Sequence, residues 1–204
     1  MTEESAPTPA YLWFDSEFTS LDVEQARLLQ VALVVTDAKL NRLTASERDV
    51  NLHIRLGSEA QVSAWVEQNL ADLVAKCRSE DAVSVEEADR RLAALVDEAV
   101  GPVADDIKRR PVLAGNTVHM DAALVRKFLP QFARRLHYRF LDVSTLKVLW
   151  NDWFPGQAFG KAEPEVVRRN LPPGIALPAS GEHDAYYDIH ASMAELNYYR
   201  QRLV

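Results

Sequence analysis

The sequence predicts an α/β fold, a mixed five-stranded sheet with helices on both faces. Three observations predict it. Apolar runs with strand character dominate residues 11 to 56. Helical spacing takes over from residue 62. Short apolar runs then alternate with helical stretches to the end of the chain. Strands in succession, followed by alternation, suit a sheet covered on both sides by helices.

The first strand is Tyr11 to Phe14 (YLWF), an aromatic-rich run of the kind strands favour. Leu28 to Thr36 (LLQVALVVT) is β-branched-rich and reads as a buried strand. Asp37 to Asn41 turns the chain, and Leu43 to Leu56 gives a third strand. These three predict an antiparallel meander. Val62, Trp65, Val66, Leu70, Leu73 and Val74 recur at helical steps and predict one helix. Ser84-Val85-Glu86-Glu87 matches a capping box, with Glu87 reaching back, and Gly101-Pro102 ends the helix it opens. Pro111 to Ala114 is a short strand. A helix from Val118 to Leu129 follows and stops at Pro130. Phe140-Leu141 is the fifth strand, and Ser144 to Trp153 a helix. Residues 155–182 are rich in proline and glycine and read as a loop with one helical turn at Glu165–Arg169. The last helix runs from His183 to Arg202. The whole matches an α/β sandwich of the ribonuclease H-like type.

At 204 residues the chain fits one domain over residues 11–204, large enough to bury a core. Residues 1–10 (MTEESAPTPA) carry no basic residue, do not read as a signal peptide, and are expected to be disordered. No apolar run is long enough to span a membrane. The single cysteine, Cys77, excludes an internal disulfide and a multi-cysteine zinc site. A cytoplasmic protein is expected. The net charge of −7 argues against a long duplex ligand, because grip on many phosphates needs many cations. It leaves room for a ligand with one or two phosphates. No G-x-S-x-G, P-loop or dinucleotide glycine motif is present.

The chemistry concentrates where the first strand ends, at Asp15 and Glu17. Residues two apart in a strand share a face, with Cα atoms about 6.5–7 Å apart. Two carboxylates so placed repel each other and lose solvation, and a divalent cation removes both penalties. The plain alternative is a strand running into a polar turn. Asp121 and Asp188 fall in the first turns of their helices, where the macrodipole favours acids anyway. His183 alone reads as an exposed histidine near a helix start. Together the four acids can hold two divalent metals about 3.5–4 Å apart for phosphoryl displacement. Magnesium or manganese suits oxygen ligands. His183 can take the proton of the attacking water. Asp142 reads as a cap for the Ser144 helix, and Asp22, Asp37 and Asp184 as turn or surface acids.

DSEFTSLD, VTDAKLN, GNTVHMDAALVRKFLP, HYRFLDVSTLK, HDAYYDI and AELNYYRQRL occur in this order. Together they resemble the oligoribonuclease family, 3′-to-5′ exonucleases of the DEDD superfamily with a histidine base. The resemblance covers nearly all of Tyr11 to Leu203. It implies a single exonuclease domain over residues 11–204 and two divalent ions, Mg²⁺ or Mn²⁺, on Asp15, Glu17, Asp121 and Asp188. His183 matches the general base. Leu21 and Trp65 match apolar residues that bracket the bases; by spacing alone Trp65 reads as core. Thr117, where the family has serine, and His137, Tyr138 and Arg139 match a cap on the substrate's 5′ phosphate. Part of that segment reaches into the partner's site of a homodimer. The implied substrates are short RNAs, above all 5′-phosphorylated dinucleotides, cut to mononucleotides.

This chain departs from the family at several positions. Ser20 stands where glycine is usual, so the backbone there must avoid a glycine-only conformation. Gln30 replaces a common glutamate. Ala122 replaces the basic residue after the third acid. The stretch before His183 is longer and carries Lys161, Arg168 and Arg169, which are expected to border the site and replace the cation lost at Ala122. Two other readings stand beside the first: a DNA-preferring or longer-strand exonuclease on the same site, and a nucleotide-binding protein without turnover.

Overall fold

The structure is a computed structural model and describes residues 10–203. Five strands form one sheet in the order β3-β2-β1-β4-β5. The central strand β1 spans Tyr11–Phe18 and pairs antiparallel with β2, Leu28–Thr36. β3, Val50–His53, adds antiparallel to β2. On the other side β4, Val112–Gly115, and β5, Phe140–Asp142, run parallel to β1. The sheet is mixed and the meander is present, as the succession of strands predicts. No helix among the described residues is long and apolar enough to cross a membrane.

Alternation along β1 divides the core. Leu12 and Phe14 face one layer, where α3 (Val85–Val100) and α4 (Val118–Phe128) contribute Leu92, Val96 and Val125. Trp13 faces the other, with Trp150 of α6 (Val143–Trp153) and Ile189 and Met193 of α8 (Ala185–Leu203). Trp13 is fully buried, and its indole N–H donates to Thr36 Oγ1 at 2.9 Å, so the polar end of the ring is satisfied. β2 is buried along its whole length, which its unbroken apolar run requires.

Three expectations need correction. The third strand is four residues, not the whole of Leu43 to Leu56. A 3₁₀ turn at Ser46–Arg48 and the Arg42–Asp49 ion pair take up the polar first half. The helix expected across Val62 to Val74 is two, α1 (Ala64–Asn69) and α2 (Ala71–Cys77), broken at Leu70 with φ −125° and ψ 29°. Both are short and keep their apolar faces on Leu29 of β2, and a bend between them lets each pack there. The Ser84 cap exists, accepting from Glu87 N at 3.2 Å, but the Glu87 carboxylate pairs forward with Arg90 and Arg91. The Val118 helix stops before Pro130 as expected, with Leu129 as its C-cap, and a separate short helix not foreseen, α5 (Pro130–Ala133), opens there with proline at its first position, where no N–H is needed.

The long stretch before His183 carries α7, Pro164–Asn170, over the predicted helical turn. It docks on α8, with Val167 fully buried and Asn197 Nδ2 donating to the Asn170 carbonyl at 2.9 Å. The expected disorder at the N-terminus lies, for residues 1–9, outside the described residues. Ala10 is buried, and its carbonyl accepts from Val112 N at 2.9 Å.

Candidate active site

β1 brings the first two acids to the edge of the core. Asp15 and Glu17 continue the face of Tyr11 and Trp13, the α8 side, while Ser16 continues the α4 side. The pairing of β1 with β2 shifts register between Glu17 and Phe18, an irregularity that ends the strand beside the acids. Asp121, in the first turn of α4, is buried, and the Ser16 hydroxyl donates to its Oδ1 at 2.6 Å. Asp188, in the first turn of α8, is buried too, and its Oδ2 accepts from His183 N at 3.0 Å.

These four carboxylates and His183 line one open cleft of about 350 Å³, together with Thr117, Asn116 and Lys161. Donor atoms of Glu17, His183 and Asp188 lie within 4.8 Å of one another. Burial pushes the Asp15 carboxyl well above its usual range, and the charges of Asp121, Asp188 and Glu17 push it further. Burial, then Asp188 and Asp121, push Glu17 up to about 8. Burial pushes Asp121 up to about 7, with the Ser16 hydrogen bond pulling the other way. Acids crowded into a desolvated cleft are costly unless a cation shares it.

Lys161 is such a cation. Its Nζ lies 2.7 Å from Asp188 Oδ1. Burial works against the ammonium, yet Asp188 holds its pKa above the ordinary lysine value. Arg168 instead pairs with Glu165, and neither it nor Arg169 lines the cleft. Ala122 is buried in the core beneath.

His183 begins the turn before α8 in the left-handed region, φ 64°, which histidine tolerates better than most residues. Asp184 caps α8 by accepting from Tyr186 N and Tyr187 N, each at 3.1 Å. The helix therefore starts at Ala185, two residues after the predicted start. Gln30 explains its own presence here. Its amide donates to Asp184 Oδ2 at 3.2 Å and accepts from Ala185 N at 3.2 Å. A glutamate could not make the first contact without repulsion. Ser20 is not among the described positive-φ residues, which besides glycines are Leu40, Thr117 and His183.

An apolar cleft of about 580 Å³ adjoins the acids, lined by Phe18, Leu21, Trp65, Val66 and Leu70, with Glu17 at its edge. Ser63 N donates to the Thr19 carbonyl at 2.9 Å, which ties α1 to the end of β1. Leu21 is 81% exposed and Trp65 51% exposed, so neither belongs to the core. The Trp65 ring stands edge-on to the His183 ring at 5.3 Å.

Thr117 precedes α4 in left-handed conformation. Its N–H meets Asp142 Oδ1 and Ser144 Oγ, both at 3.0 Å, and its hydroxyl lies 3.3 Å from Ser144 Oγ. Asp142 also accepts from Ser144 N at 2.9 Å, the cap its position predicts. His137, Tyr138 and Arg139 stand apart: none lines the acid cleft. The His137 and Tyr138 rings stack at 4.4 Å, and Arg139 lies over Tyr138 at 5.3 Å. Sequence reasoning did not single out Ser16, Asn116 or Ser144. Alternation could have found Ser16, which must face α4 if its neighbours do not.

A family model described as an exonuclease (RNase_T) matches residues 12–196. The chain belongs to this exonuclease family, whose members hydrolyse phosphodiester bonds. Its curated relatives include oligoribonucleases. That of Mycobacterium ulcerans (strain Agy99) is 34% identical over 191 residues, covering 93% of this chain and 79% of the relative. That of Klebsiella pneumoniae is 31% identical, covering 95% of this chain and 94% of the relative. The human mitochondrial oligoribonuclease is 29% identical, covering 94% and 72%. Among solved structures, exonuclease I from Methylocaldum szegediense superposes with a TM-score of 0.65 at 18% identity. E. coli exonuclease I in complex with a 5cy-dA13 oligonucleotide gives 0.60 at 14%. Each match covers 96% of this chain but only 41% of the exonuclease I chain, and shows a shared fold. Divalent metal use goes with this family, and the residues here fit it: the donors are oxygens, desolvated and mutually repelling.

Proposed function

We propose that the chain is a metal-dependent 3′-to-5′ exoribonuclease that cuts short RNAs, above all 5′-phosphorylated dinucleotides, to mononucleotides. The observation that carries this is the convergence of Asp15, Glu17, Asp121, Asp188 and His183 on one cleft, next to an apolar cleft with an exposed tryptophan. The four acids would hold two divalent ions, magnesium or manganese, since both prefer oxygen ligands. When bound, such ions stabilise charge on the phosphoryl oxygens and the departing 3′ oxygen. His183, exposed at the cleft, takes the proton of the attacking water. Leu21 and Trp65 bracket the bases by apolar contact and stacking. Thr117 offers its hydroxyl to the 5′ phosphate.

Arg139, whose planar fork suits phosphate, belongs to the same cap. The exposed ring of Tyr138, just before β5, offers apolar surface for a homodimer. There His137 and Tyr138 would complete the partner's site. Sedimentation of the purified chain as a monomer at micromolar concentration would remove that part of the proposal.

The test is cleavage of 5′-phosphorylated RNA strands of two to seven nucleotides in Mg²⁺ or Mn²⁺, beside single-stranded RNA and DNA 20-mers. A fixed phosphate cap measures length, so the rate is expected to be highest for the dinucleotide and to fall with each added nucleotide. A flat or rising series would favour the longer-strand reading. Faster DNA cleavage would favour the DNA reading. No cleavage at any length would leave a binding protein.

A further inference from the structure

Both Asp188 oxygens have partners: Oδ2 accepts from His183 N, and Oδ1 faces Lys161 Nζ at 2.7 Å. Lys161 is the one lysine or arginine among the described lining residues of the acid cleft. The segment that carries it is well anchored. Two residues before it, Phe159 is buried, with its ring 5.4 Å from that of Tyr198. The Gln157 carbonyl accepts from Trp150 Nε1 at 2.7 Å and from the Tyr198 hydroxyl at 2.8 Å. Beyond it, Val167 of α7 is fully buried. The ammonium is thus delivered to Asp188 by packed structure on either side, and its side chain is only 24% exposed.

A magnesium ion held by Asp188 would approach a carboxylate oxygen to about 2.0–2.1 Å, closer than an ammonium can. It draws on the same lone pairs and the same negative field. We propose that Lys161 is a built-in counter-ion that competes with the divalent metal for Asp188 and thereby sets the metal affinity of the site. This rests on the metal reading of the four acids. With a metal bound, the Lys161 ammonium would leave Oδ1, and the lysine stem is long enough to swing within the cleft.

The test is calorimetric titration of Mn²⁺ into the full chain, Lys161→Met and Lys161→Arg, at one pH and ionic strength. The methionine variant is expected to bind Mn²⁺ at least about threefold more tightly. The arginine variant, which keeps the charge, is expected to bind closer to the original chain. In chelator, the methionine variant is expected to melt lower and to gain more on adding Mn²⁺. Equal or weaker Mn²⁺ binding by a folded methionine variant would overturn the proposal while leaving the metal site intact. Failure of the unsubstituted chain to bind Mn²⁺ would overturn the metal reading, and this inference with it.

Discussion

Glu17 and Asp121 hold their protons far longer than free carboxyls do. Burial and neighbouring charge push Glu17 up to about 8 from 4.5, and burial pushes Asp121 up to about 7 from 3.8. As pH rises, the unfolded chain releases these protons first, so the folded chain loses relative stability. With divalent ions chelated, their contribution is complete below about pH 4 and is lost as pH climbs through about 7 and 8. The melting temperature in chelator is expected to fall across that window, and saturating Mn²⁺ to remove most of the fall. A chelated profile that is flat or rising would contradict the desolvation and repulsion assigned to these acids. Gln30 belongs to the same scale. From sequence it is a lost acid; in the fold its neutral amide can face Asp184, which a second carboxylate there would repel.

Elements with strong internal pattern were legible. β1, β2 and α3 follow from an aromatic-rich run, an unbroken apolar run and a 3.6-residue period. The breaks were not, because distant partners set them. Leu70 is apolar at helical spacing, yet it is where α1 gives way to α2 so that both reach β2. α5 persists beyond a proline because Asp89 of α3, buried in the core, accepts from Gln131 N at 2.9 Å and Phe132 N at 2.8 Å. Removing that cap orphans two donors. Asp89→Ala is expected to cost about 1–3 kcal/mol in urea unfolding. A change below a few tenths would mean that α5 holds its place by Phe132 packing alone.

At the scale of the molecule, one cleft draws on β1, α4, α8 and the segment before α7, with an apolar neighbour from α1. The four acids and His183 were legible because strand and helix ends place them by simple rules. Two-metal chemistry gathered them into one set, and the resemblance then matched each of them to a role. Lys161 was only partly legible. Its charge was visible among three cations, but which of them turns inward depends on how Phe159 and Val167 dock on α6 and α8. Likewise nothing local says that Trp65 leaves the core; in the fold α1 buries its neighbour Val66 and leaves Trp65 exposed.

In the mechanism proposed, His183 is the base beside a carboxylate metal site. Ligand atoms of Glu17, His183 and Asp188 lie within 4.8 Å of one another, so the rival role for His183 is that of a metal ligand. The decisive measurement is hydrolysis of a 5′-phosphorylated RNA dinucleotide by the unsubstituted chain and His183→Ala, with Mn²⁺ affinity measured on the same preparations. The account predicts a fall in kcat of about 10²–10⁴-fold with Mn²⁺ affinity retained. An unchanged kcat, or loss of Mn²⁺ affinity along with the rate, would contradict it.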